Sequence, residues 1–63
     1  MTDTRRAFLV VNLQTGKINV EVYTSAKNVI RYALRKDKYD AGQYDIFDNS
    51  IRTAEPVRAY KRA

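Results

Sequence analysis

Cysteine, histidine and tryptophan are absent from this sequence, and it has only one proline and two glycines. Without cysteine there are no disulfides. Without cysteine or histidine the usual zinc ligand sets are missing, and so is a histidine-based nucleophile relay. The two glycines are too few and too far apart for a glycine-rich phosphate loop, and there is no Gly-x-Ser-x-Gly turn. No apolar run approaches the roughly 20 residues of a membrane-spanning helix. The start, Met1 to Arg6, leads into a short apolar stretch with no small-residue cleavage site. These absences favour a cytoplasmic, cofactor-free, non-enzymatic chain.

At 63 residues the chain is one domain, 1–63, with loose ends expected at about 1–5 and 61–63. A domain this small buries only about 60% of the surface its unfolded chain exposes, so the core is thin and self-association would relieve it. Twelve lysines and arginines against seven acidic residues leave a net charge of +5, which favours acidic protein surfaces or phosphate backbones as partners.

Ala7 to Leu13, AFLVVNL, reads as a strand. Gln14-Thr15-Gly16-Lys17 reads as a turn in which Gly16 supplies a positive φ, and Ile18 to Tyr23, INVEVY, as a second, cleanly alternating strand. The alternation places Ile18, Val20 and Val22 on one face, read here as the core face. Asn12 taken as a solvent marker puts Leu9, Val11 and Leu13 on the same side. Phe8, Val10 and Tyr23 are then expected on the outer face, joined by Tyr44 or Phe47 and by Tyr60.

Thr24-Ser25 offers a hydroxyl N-cap. Ala26, Val29, Ile30, Ala33 and Leu34 recur at helical spacing, predicting a helix that runs to Lys36 or Lys38 and stops at Asp40-Ala41-Gly42. Gln43 to Phe47 reads as a third strand, Asp48 to Ser50 as a turn, Ile51 to Thr53 as a return segment, and Val57 to Tyr60, after Pro56, as an edge strand. The fold expected is α+β: an antiparallel sheet of three to four strands with one helix on one face, in the order ββαβ or ββαββ.

Lys27, Arg31, Arg35 and Lys38 fall at i, i+4, i+8 and i+11 and form one positive stripe on the outer helix face. Unlike an ordinary solvated face, the stripe carries only one sign of charge. Arg5 and Arg6, with Arg58, Lys61 and Arg62, would add to it if the first and last strands were neighbours. Asp37, Asp40, Asp45 and Asp48 match no calcium-loop spacing and read as turn chemistry and charge balance. The residues expected to touch a partner are Lys27, Arg31, Arg35, Lys38, Phe8, Tyr23, Arg58 and Tyr60.

The stretch FLVVNLQTGKINVEVYTSAKNVIRYAL, Phe8 to Leu34, resembles in its strand-hairpin-helix layout the very small phage-encoded accessory proteins of the host RNA polymerase inhibitor and anti-CRISPR types. The likeness covers about half the chain. It implies a single-domain, non-enzymatic regulator that occludes a surface of a larger host protein or ribonucleoprotein machine. Many such proteins are acidic mimics of nucleic acid, and the +5 charge departs from that pattern. The alternatives from the residues themselves are a minimal nucleic-acid-binding module that contacts the phosphate backbone of DNA or RNA, and a self-assembling structural protein such as a homodimer.

Overall fold

The computed structural model describes residues 4–53 and 55–63. Four strands form one antiparallel sheet in the order β2-β1-β3-β4: β1 is Arg6–Asn12, β2 Ile18–Tyr23, β3 Gly42–Asp48 and β4 Val57–Lys61. Between β2 and β3 lies helix α1, an α-helical turn over Ala26–Asn28 that widens without a break into a π-helical turn over Val29–Ala33. The fold is therefore ββαββ, α+β. The residues 1–3 of the expected loose N-terminus lie outside the described residues.

The β1–β2 hairpin closes on one side chain. Asn12 Oδ1 accepts from the backbone N–H groups of Gln14 (2.8 Å) and Thr15 (3.1 Å), while Gly16 N–H donates to Asn12 O at 2.7 Å. Gly16 has φ 78°, a conformation that costs other residues more. Asn12 Nδ2 also reaches Tyr44 Oη at 3.3 Å. Asn12 is thus a buried turn-maker on the helix side, and this inverts the expected partition of the sheet.

Within β1 and β2 the sets of residues sharing a face are those expected, but the helix covers the other set. In β3 and β4 the register puts Tyr44 on the face of Phe8, and Phe47 and Tyr60 on the face of Leu9. Phe8 and Val10 are buried under the helix rather than outward. Leu9 and Val11 are half-buried on the opposite face, and Leu13, just past β1, is exposed. Because Leu9 pairs with Val20 and Val11 with Ile18, parity carries the apolar set of β2 to the bare face too. Ile18, Val20 and Val22 are 57%, 59% and 53% exposed, so none of them belongs to the core. Glu21, opposite Phe8, turns inward instead.

The core consists of Phe8, Val10, Tyr44, Ile46 and Ala59 from the sheet, Val29, Ala33 and Leu34 from the helix region, and Tyr39. Each large apolar side chain fully buried there contributes about 1.5–3 kcal/mol. Tyr39 and Tyr44 meet edge to face at 5.6 Å. Tyr44 Oη donates to Asp40 O at 2.6 Å, which ties the helix exit to β3.

Ser25 caps the helix as expected, its Oγ accepting from Asn28 N–H at 3.2 Å. The helix ends earlier than Lys36. Leu34 N–H reaches back five residues to Val29 O at 3.0 Å, and the chain then tightens, with Lys36 N–H bonded to Ala33 O at 3.1 Å and Tyr39 N–H to Lys36 O at 3.1 Å. Lys61 Nζ, from β4, donates to the carbonyls of Lys36 (2.7 Å) and Tyr39 (2.5 Å). These bonds use the carbonyls that further helical turns would need and bring Tyr39 into the core.

Ile51 to Thr53 is a run of turns and not a strand. Asp48 Oδ1 accepts from Ser50 N–H (2.9 Å) and Ser50 Oγ (2.6 Å), and Ile51 N–H bonds to Asp48 O. β4 then follows Pro56 at the sheet edge, paired to β3 alone. Among the described residues no helix is long and apolar enough to cross a membrane.

Candidate functional site

A groove of about 830 Å³ opens between the helix and β4, on the helix side of the sheet. The periodicity of the helix explains its floor and wall. Ala26, Ile30 and Leu34 lie one helical turn apart on the edge that faces β4, while Lys27, Arg31 and Arg35 run alongside them one residue further round. Val57 completes the floor from β4, and Tyr60, Lys61 and Arg62 border it on that side. Tyr60 does so from the strand edge, since its pairing with Gln43 puts it on the same sheet face as Arg58. Ile30 is half-buried and Leu34 buried, whereas Val57 and Tyr60 are 43% and 64% exposed. The result is an apolar floor bordered by five cationic side chains, with no carboxylate among the lining residues.

Of the residues expected to form the partner surface, Lys27, Arg31, Arg35 and Tyr60 come together here, and Lys61 and Arg62 join them from the C-terminal end. The other four go elsewhere. Lys38, beyond the helix end, pairs with the buried Glu21 at 2.7 Å and leaves the stripe. Phe8 is 1% exposed and belongs to the core, so it cannot be a surface contact. Arg6 lies over its ring at 5.5 Å. Tyr23 shares the helix face and stacks on Tyr32 of the helix, with ring centroids 6.5 Å apart. Arg58 lies on the bare sheet face and grips Asp45 through Nε at 2.8 Å and Nη2 at 3.2 Å.

The first and last strands are not neighbours, because β3 lies between them. Arg6 therefore stays apart from the C-terminal cations. It pairs with Asp48 at 3.1 Å and donates to Thr24 O at 3.0 Å.

The titrations that shift belong to the fold rather than the groove. Burial pushes the Glu21 carboxyl upward, but the hydrogen bonds from Lys38 and Tyr39 outweigh it and hold the group below its ordinary value. Burial, reinforced by the Glu21 carboxylate, raises the Tyr39 hydroxyl well above the ordinary tyrosine range. The Arg58 guanidinium holds Asp45 below the usual carboxylate range against the effect of burial. A second, smaller hollow of about 180 Å³ beside Asn12, Lys38, Tyr39 and Tyr44 is bounded by these satisfied groups. Among the described residues no three His, Cys, Asp or Glu side chains are grouped to hold a metal ion.

Sequence reasoning missed Val57 as part of the groove floor, and it expected an apolar outer sheet face but filled it with Phe8, Val10 and Tyr23 in place of Leu9, Val11, Ile18, Val20 and Val22. The first depends on β4 lying beside the helix across the sheet, which no local pattern encodes. The second turns on which face the helix covers, which the alternation of INVEVY does not encode. Comparison with protein-family models, curated proteins and solved structures finds no match to this chain.

Proposed function

We propose that this protein is a small non-catalytic binding module whose groove between the helix and β4 holds an acidic, partly apolar segment of a larger protein. One observation carries this reading: five cations and, among the described residues, no carboxylate line a floor of Ile30, Leu34 and Val57. The cations supply long-range attraction and orientation, and the apolar floor supplies desolvated contact area that a bare phosphate backbone would leave unused. A segment alternating acidic and apolar side chains satisfies both parts at once. Size and the strand-hairpin-helix layout fit a phage-type regulator or inhibitor that occludes a surface of a host protein or ribonucleoprotein, and the +5 charge suits an acidic target surface rather than mimicry of nucleic acid.

Nucleic acid is the second reading. It is favoured by the one-signed rim and by Tyr60, which is exposed enough for a base to stack on it. The experiment is capture of partners from a bacterial lysate with and without nuclease, using the native chain and Arg31→Glu/Arg35→Glu. Discrete proteins retained after nuclease by the native chain, and lost by the double variant with its circular dichroism unchanged, are the expected result. Two charge reversals should weaken binding by about tenfold or more. Recovery of heterogeneous nucleic acid that collapses with nuclease or salt transfers the function to phosphate binding. Undiminished capture by the double variant removes the groove from either role.

A further inference from the structure

Among the described residues no helix or strand covers the face of the sheet opposite α1, yet it is the more apolar of the two along β2. Val20, Leu9 and Phe47 form a continuous row across β2, β1 and β3, flanked by Ile18, Val11 and Val22. An antiparallel sheet with one solvated face normally alternates apolar inward and polar outward. Here β2 does the reverse, with Glu21 inward and its valines and isoleucine outward.

The geometry points to a second copy of this chain as the occupant, stacked sheet to sheet about a two-fold axis. Charge is the first argument. Among the described strand residues on this face only Asp45 and Arg58 are ionised, and they neutralise each other. A chain of net charge +5 thus presents a face with no net charge, and its groove cations lie on the far side of the sheet. Neither an acidic nor a basic partner finds anything there to pair with. An identical apolar face does, and two copies meet with their repelling charges held apart.

Area is the second argument. Four strands spaced about 4.8 Å apart and five to seven residues long at about 3.3 Å per residue give a footprint of about 400 Å² in flat projection. The corrugation of the side chains makes the accessible area larger. Two copies therefore bury at least about 800 Å² in total, a lower bound under the roughly 1,200 Å² of stable interfaces and in the range of weak, reversible ones, which sets a reversible dimer rather than an obligate one. The apolar row occupies β2, β1 and β3, and the side chains of Gln43, Asp45, Arg58 and Tyr60 lie toward β4, giving an apolar patch with a polar, tyrosine-bearing rim. Aligned packing of two such faces puts the sheets about 10 Å apart.

Sedimentation equilibrium of the native chain, from about 1 μM to 1 mM, tests this alongside Val20→Lys and Ile18→Lys. Both sites are more than half exposed in the single chain, so both variants should keep the native circular dichroism, and each provides a check should the other fail to fold. The expected result is a monomer–dimer equilibrium between 7.3 kDa and twice that mass, its midpoint within that concentration range. Either lysine should weaken it by about tenfold or more by placing a charge between the faces. A native chain that stays monomeric throughout, a variant that dimerises as tightly as the native chain, or growth beyond two copies each overturns the proposal.

Discussion

Glu21 is buried on the helix side of β2, where one of its carboxylate oxygens accepts from Tyr39 Oη at 2.5 Å and meets Lys38 Nζ at 2.7 Å. Its folded-state titration lies below the ordinary 4.5, so folding favours the ionised form. The resulting stability is fully present above that ordinary value and is lost as pH falls through the lower, folded one. Glu21→Gln should therefore unfold more easily at neutral pH, by about 1–3 kcal/mol, and its melting temperature should fall less than that of the native chain on acidification below about pH 4.5. Thermal melts from pH 7 to pH 3 check this. Parallel curves for the two proteins would place the acid sensitivity at other carboxylates, with Asp45 next in line because Arg58 holds it low in the same direction. Glu21 was unreadable as a buried residue because an isolated glutamate in an alternating strand ordinarily faces water. Only Tyr39 and Lys38, distant in sequence, make its burial affordable.

The elements divide between those written locally and those decided by the rest of the fold. The hairpin was legible because Gly16 and the alternation of Ile18 to Tyr23 act within a few residues, and the helix start was legible because Ser25 and the 26–34 stripe do so as well. The helix end was not, since the carbonyls of Lys36 and Tyr39 are held by Lys61 from the other end of the chain. Alternation reports which side chains share a face but not which face the helix will cover, and β1, apolar on both sides, gives no help. A helix of only eight residues depends heavily on its cap. Ser25→Ala should cost about 1 kcal/mol, lowering the melting temperature by about 4–8 °C in a domain of this size. A smaller change would mean that packing of Val29 and Ala33 alone fixes the first turn.

For the whole molecule, charge and apolar surface are sorted to opposite sides of one four-stranded sheet. The basic groove lies on the helix side and the apolar face, whose Asp45 and Arg58 neutralise each other, on the other. Half of the expected contact residues were found in the groove because a helical stripe is a local pattern, and the rest dispersed because their places depend on register and on partners such as Glu21 and Asp45. The separation predicts independence. Arg31→Glu/Arg35→Glu should dimerise like the native chain, and Val20→Lys should bind a groove ligand with native affinity when the ligand is in excess and monovalent. Effects of changes at sites that share no partner add, so the combined variant should lose both properties to the extent of the single variants. Coupling between them would mean that the sheet transmits strain from one side to the other.

A sheet that carries its groove on one side and its bare face on the other has a consequence for valency. Two chains joined through their bare faces direct their grooves outward in opposite directions, too divergent to share one short segment. Such a pair would bridge two target molecules, or two copies of a segment within one multi-subunit machine, and would gain avidity wherever those copies are spaced to match. Occupancy would then rise more steeply with protein concentration than a single groove allows, so that a modest individual affinity would suffice to hold an assembly with repeated acidic segments.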